Sequence, residues 1–350
     1  MFRINDQFKR IVVVFFCVIS LSALYKWVSS YFLIANVANH VSIEYYSNAL
    51  RKYSFAGEPL PFDDLKMIKR YQKELLSNAR QSTEMAIVIK RAKVWLPRIE
   101  AILKKNNVPT DFKYLAVAES YFSNNVSHMQ AAGFWQIQPT TGDALGLIIN
   151  KEIDERYNPY ASTEAVCKYI KRTKRQFPAW TWTDIAVSYN LGITALYNIK
   201  NKFPKKSTYH IRLNKETESY LFRIIALKEI IEHPTDYGYK NYHVVVAPYK
   251  KVVVRKTVHD LRKFAKYYGI SYYTLKEFNP WLRSNKITFE NGISKKSFEI
   301  IIPLNPRFEN HFEKDSLNVI NDTIQAKPFS PSDSTTENVK NLEKSTPTKL

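Results

Sequence analysis

PTDFKYLAVAESYFSNNVSHMQAAGFWQIQPTTGDALGL, residues 109–147, is the stretch on which the fold of this 350-residue chain turns. Pro109 is placed to start a helix, and Phe112, Leu115, Ala116 and Phe122 then fall on one apolar stripe. Glu119 stands seven residues after Phe112, four after Leu115 and three before Phe122, so it points into the same stripe. A glutamate is almost never fully buried unless it is paired or functional. Two readings follow. In the functional one, apolar surroundings raise the pKa, so the carboxyl stays protonated and donates a proton near neutral pH. In the structural one, Glu119 is salt-bridged to one of the many Lys and Arg residues. Periodicity alone does not choose between them.

The sequence on both sides is helical in pattern. Pro97 sits where a helix can begin, with Ile99, Ile102 and Leu103 on one face. Ser162 is placed to cap a helix bearing Val166, Tyr169, Ile170 and Phe177. Another helix covers roughly 183–190 and ends near Gly192. Asn214 caps the last, with Glu216 and Glu218 in its first turn, and that helix stops before His233-Pro234. No strand pattern interrupts this region, so residues 89–235 read as one helical domain.

Beyond it the texture changes. Tyr242–Val246, Lys251–Val254 and Phe298–Ile302 are β-branched and strand-like, with short helical stretches near 257–268 and 271–278 between them. Residues 240–304 therefore read as a small α+β module. The tail, 305–350, is rich in Ser, Thr, Pro, Asn and Lys and is expected to be disordered. Residues 36–88 read as a polar helical extension broken by Pro59 and Pro61.

The formal charge of +20, from 52 Lys+Arg against 32 Asp+Glu, calls for an anionic partner. Nucleic acid, anionic lipid and cell-wall polymer all qualify. The N-terminus decides among them. Residues 11–25, IVVVFFCVISLSALY, are uncharged and follow Arg3, Lys9 and Arg10. This is the pattern of an export signal or signal anchor, and no convincing cleavage site follows. Residues 1–35 are therefore expected to form an uncleaved membrane segment, which disfavours nucleic acid. Cys17 lies inside that segment and the other cysteine is Cys167, so no internal disulfide is expected. His40, His128, His210, His233, His243, His259 and His311 show no ligand spacing, and few glycines and no phosphate loop are present, so neither metal nor cofactor is expected.

Residues 118–147 resemble the signature of family 1 lytic transglycosylases, the lysozyme-like murein enzymes. The matching positions are Glu119-Ser120 at a helix end, Ser127 in a loop, and Ala132-Gly133-Phe134-Trp135-Gln136-Ile137-Gln138-Pro139. The Trp-Gln version points to the membrane-bound D-type subgroup. DERYNPYASTEAVCKYI (154–170), SYNLG (188–192) and LNKETESYLFRIIALKEI (213–230) continue the match in order. Ser188 replaces the usual Ala, and His128 and Gln130 stand where Pro and Gly are common. The resemblance implies a mainly α, goose-type-lysozyme-like catalytic domain. It implies that Glu119 is the catalytic acid/base and that Ser127, Gln136, Tyr189 and Asn190 bind substrate, with Tyr189 donating to Glu119 or orienting it. No second carboxylate has comparable support; Asp111 and Asp143 lie elsewhere in the pattern. The resemblance implies a non-hydrolytic route, which a single carboxylate fits, in which the muramyl 6-hydroxyl closes on the anomeric carbon to leave a 1,6-anhydro end.

TVHDLRKFAKYYGISYYTLKEFNPWL (257–282) with FEIIIP (298–303) resembles a LysM peptidoglycan-binding module, through Tyr268-Gly269-Ile270-Ser271 and Leu275–Asn279. Its opening, Arg255-Lys256-Thr257-Val258, is degenerate, and packing against the helical domain is the competing role for the module. The expected partner is the peptidoglycan glycan strand, met on the periplasmic side of the cell envelope with the membrane holding the N-terminal segment; no specific protein partner is expected. The competing readings are a lysozyme-like peptidoglycan hydrolase and a catalytically silent wall-binding scaffold.

Overall fold

Helices begin where the sequence supplies a cap and continue where an apolar stripe has something to pack on. A computed structural model describes residues 53–79, 83–289 and 297–305. Of these, 53–54 and 59–68 fall in one small unit, and 55–58 with the remainder form a second, larger one. In the small unit Leu60, Phe62, Met67 and Ile68 are buried, and Tyr53 meets the edge of Phe62. The expected membrane segment 1–35 and most of the tail lie outside the described residues, as does the extension before residue 53. Among the described residues no helix is long and apolar enough to cross a membrane.

The helices are α1 (Leu65–Ala79), α2 (Thr83–Lys105), α3 (Lys113–Ser120), α4 (Pro139–Ala144), α5 (Pro159–Gln176), α6 (Trp182–Leu191), α7 (Ile193–Lys202) and α8 (Lys215–Glu232). α3 packs on α8 and α2, so it lies in the middle of the helical domain. Two starts differ from expectation. Pro97 begins no helix but sits inside α2. The stripe Met85, Val88, Ile89, Ala92, Leu96, Ile99 and Leu103 runs buried through it. At about 1.5–3 kcal/mol per buried large apolar side chain, that stripe outweighs the roughly 3 kcal/mol cost of an interior proline. α2 also runs unbroken through residues 88 and 89, where the extension was expected to meet the helical domain. α5 is capped by Asn158 rather than Ser162: the Asn158 Oδ1 accepts from the amides of Tyr160 and Ala161, and Pro159 takes the first helical position. Ser162 is one turn in, its hydroxyl donating to the Asn158 carbonyl. Asn-Pro is the stronger start signal because it supplies both the acceptor and the fixed φ. α6 closes its start with a Thr181–Asp184 capping box, and Asn214 caps α8 as expected.

The C-terminal module contains β1 (Tyr249–Val254), α9 (Leu261–Tyr267), α10 (Tyr272–Phe278) and β2 (Phe298–Pro303). The two strands pair antiparallel, Tyr249 opposite Pro303 and Val254 opposite Phe298. Tyr242–Val246 is not a strand. β propensity yields a strand only where a ladder partner lies alongside, and β2 pairs instead with the next β-branched run. Cys167 is a buried free thiol, and burial pushes its pKa up to about 12. It is a core residue of α5.

Candidate active site

The last turn of α3 delivers the carboxyl. Phe112, Leu115, Ala116 and Phe122 are all buried, and Glu119 sits half-buried among them. Among the described residues no Lys or Arg lies within ion-pair distance of it, although the charge of Arg223 reaches it. Its partner is Tyr220 of α8, whose hydroxyl donates to Glu119 Oε1 at 2.6 Å. Burial raises the carboxyl pKa to about 7; the Tyr220 bond and the charge of Arg223 pull it down, and the charge of Glu216 adds to the rise. Burial and the neighbouring Glu119 hold the Tyr220 phenol well above its usual range, so it stays a donor.

The helix is stopped directly after Glu119-Ser120 by two successive left-handed residues, Tyr121 at φ 52° and Phe122 at φ 53°. For non-glycine residues this costs roughly 1–2 kcal/mol each. Local bonds offset it. The Tyr121 amide donates to the Val117 carbonyl at 2.8 Å, and the Arg91 guanidinium donates to the Tyr121 carbonyl. The Ser120 hydroxyl donates to the Phe134 carbonyl at 2.8 Å. The Phe122 ring meets Phe134 edge-on. These contacts tie the helix end to the segment that follows in the motif.

That segment is a small wing of antiparallel bridges, Val126 opposite Ala132 and Ala132 opposite Ile137. Its tip, Gly133–Gln136, is a tight turn. Gly133 has φ +75°, and a Cβ there would lie 2.0 Å from the Arg156 carbonyl oxygen, so no side chain fits. Trp135 is fully buried, its indole N–H donating to Thr163 Oγ1. Gln136 is itself left-handed, and its Nε2 donates to the carbonyls of Asn125 and Gly133, both at 3.0 Å. Ser127 Oγ accepts from the Ala131 amide at 3.1 Å.

Tyr189 does not donate to Glu119. Its hydroxyl reaches the Trp135 carbonyl at 2.6 Å, while the ring stands edge-on to Tyr169. It still lies within the field of Glu119: burial first, then that charge, holds its phenol well above the usual range. The position expected of Tyr189 is taken by Tyr220, which the sequence did not single out. A tyrosine on the buried face of a helix looks like core, and only the fold brings it opposite Glu119. Asn190 Oδ1 accepts from Thr217 Oγ1 at 2.8 Å, which links α6 to α8 beside Tyr220. Asp111 is committed elsewhere, paired with Lys228 at 3.0 Å and accepting from the Ala56 amide. Asp143 is exposed. Among the described residues no three His, Cys, Asp or Glu side chains form a metal-binding group. The chemistry available is proton transfer at one carboxyl, poised by burial and held by a permanent donor.

Residues 97–212 match the family described as transglycosylase SLT domain, and residues 250–306 match the soluble lytic transglycosylase C-terminal LysM-like domain. The chain is homologous to the membrane-bound lytic murein transglycosylase D of Escherichia coli strain K12. They are 29% identical over 239 residues, 64% of this chain and 52% of that one. The same-named protein of Escherichia coli O6:H1 is similar to the same extent. The chain spans about half the length of the curated relatives it matches.

Proposed function

We propose that this chain, with its SLT and LysM-like domains, cleaves the β-1,4 bond between MurNAc and GlcNAc in peptidoglycan as a lytic transglycosylase. The observation that carries the reading is the Glu119 carboxyl, raised to about 7 by burial and bonded to Tyr220 at 2.6 Å. Protonated Glu119 gives its proton to the glycosidic oxygen as the C1–O4 bond breaks, and GlcNAc O4 leaves as a hydroxyl. Positive charge develops on the muramyl ring. The carboxylate left behind is stabilised by the Tyr220 hydroxyl. It then takes the proton of the 6-hydroxyl of the same MurNAc, whose oxygen closes on C1. Glu119 ends protonated, ready for another cycle, and the product carries a 1,6-anhydro ring. No water enters, and the nucleophile is already tethered, so proximity is supplied by the substrate.

In this reading Ser127 and Gln136 hold the sugar beside the reacting bond. The two Nε2 bonds fix the Gln136 amide in place. Tyr189, which also fixes the wing through Trp135, and Asn190, which also links α6 to α8, complete the proposed substrate-binding set. Exposed Tyr267 and Tyr273 of the LysM-like domain offer ring faces to the same strand. The apolar N-terminal run is the proposed membrane anchor, placing the enzyme on the periplasmic side of the envelope, where its excess positive charge meets anionic wall. The test is Glu119→Gln in the full chain incubated with purified sacculi. Muropeptide release should fall by at least about a thousandfold, while sedimentation with sacculi is retained. Cleavage at the wild-type rate would overturn the reading, and lost sedimentation would point to misfolding instead.

A further inference from the structure

The C-terminal module is built into the helical domain rather than attached to it. Its core includes Val252, Phe264, Trp281 and Ile300, and the same cluster takes in Ala132, Ile153 and Tyr157 of the helical domain. Two short strands and two short helices are marginal alone, and here their apolar face is completed by the neighbour.

The seam runs along a hairpin, Ile149 opposite Asp154, whose outer edge bonds to the module. The Asp154 amide donates to the Trp281 carbonyl at 2.9 Å, and the Arg283 amide donates to the Glu152 carbonyl at 2.7 Å. The Glu152 carboxylate accepts from the Thr288 amide at 2.8 Å and from Lys286 at 3.0 Å. The Arg283 guanidinium lies 4.6 Å from the Tyr157 ring centre. The inner edge of the same hairpin grips the wing. Asp154 binds Arg156 through both carboxylate oxygens, at 2.9 and 2.7 Å, both residues nearly buried. Arg156 Nη1 in turn donates to the carbonyls of Gln130 at 2.6 Å and Ile137 at 3.2 Å, on the two arms of the turn that presents Gln136. Gly133 rests against the Arg156 backbone.

We infer that the C-terminal module is a brace for the active-site wing, acting through the continuous path from Trp281 to Asp154, Arg156 and the Gln130 and Ile137 carbonyls, and that Arg156 is a positioning residue for substrate. The face of the module that packs on the helical domain does this work. The consequence for substrate rests on the proposed reading of the site; the brace does not. A buried, bidentate Arg–carboxylate pair has two discrete states, made or broken, so a loosened seam is passed on as an opened wing rather than absorbed.

The test is made on the full chain by amide hydrogen exchange, with kcat and KM on solubilised glycan strands measured alongside. Glu152→Ala cuts the module's side-chain hold on the hairpin and touches nothing in the wing. It should speed exchange across residues 130–137 roughly tenfold, a hydrogen bond's worth of protection. KM should rise while kcat and the pH profile set by Glu119 stay put. Arg156→Lys should do the same more strongly. Lys263→Gln, at an exposed position of α9, should leave the wing unchanged. Wing exchange at the wild-type rate in Glu152→Ala, with faster exchange confined to the module, overturns the brace even if Arg156→Lys does not fold. A wild-type chain that releases no muropeptides would sink the transglycosylase reading, yet the exchange data would still decide the brace.

Discussion

Replacing Glu119 by glutamine should make the protein more stable, and more so as pH rises. The carboxyl's ordinary value is 4.5, and burial lifts it to about 7 in the folded state. Between these values the unfolded chain has released its proton and the folded chain has kept it. The unfolded state therefore binds fewer protons, and stability falls as pH rises across that window. Below about pH 4 the group is protonated in both states and costs nothing; above about 7 the full penalty is reached. At 1.36 kcal/mol per tenfold change, a lift from 4.5 to about 7 is worth about 3 kcal/mol. The amide of the Glu119→Gln variant keeps the shape and the acceptor that faces Tyr220 but never ionises. Guanidinium unfolding of wild type and Glu119→Gln from about pH 4 to about pH 8 measures this directly. The gap between them should open through the window and then level off. A constant gap at all pH values would refute the raised pKa, and with it the proton-donor role.

Other expectations follow from the same geometry. Tyr220→Phe removes the bond that pulls the Glu119 pKa down, so the alkaline limb of the rate profile should move up by about one pH unit; kcat should fall about tenfold as the nascent carboxylate loses its donor. Glu216→Gln removes a like charge near Glu119 and should move that limb slightly down, an effect that shrinks with added salt. Gly133→Ala drives a Cβ into the Arg156 carbonyl at a positive φ; unfolding should be easier by about 2–4 kcal/mol.

The helical domain was legible because its signals are local. The Asn214 cap and the His233-Pro234 stop act within a turn or two and are present as read; Phe112 and Phe122 are buried as read, but they flank α3, which ends at Ser120. Local signals failed where two of them competed. Pro97 reads as a start until the length of the buried stripe around it is weighed, and Ser162 reads as a cap until Asn158-Pro159 is given its strength. Glu119 was found from periodicity because a carboxyl on an apolar face breaks a pattern. Tyr220 breaks none, and its meeting with Glu119 spans 101 positions of sequence. The exchange of partners between Tyr189 and Tyr220 was unreadable for the same reason: both are buried phenols, and the packing of α6 and α8 on α3 decides which one reaches the carboxyl. Arg156 carries no local signal of its role, since the two carbonyls it holds belong to a wing 19 and 26 residues away.

In the proposed reaction one carboxyl serves as both acid and base, with the substrate's own hydroxyl as nucleophile. Mass spectrometry of the muropeptides released from sacculi by the full chain tests it most directly. Fragments ending in 1,6-anhydro-MurNAc, one water lighter than the hydrolysed form, are expected. Fragments with reducing MurNAc ends would contradict it and assign the site to a hydrolase that activates water.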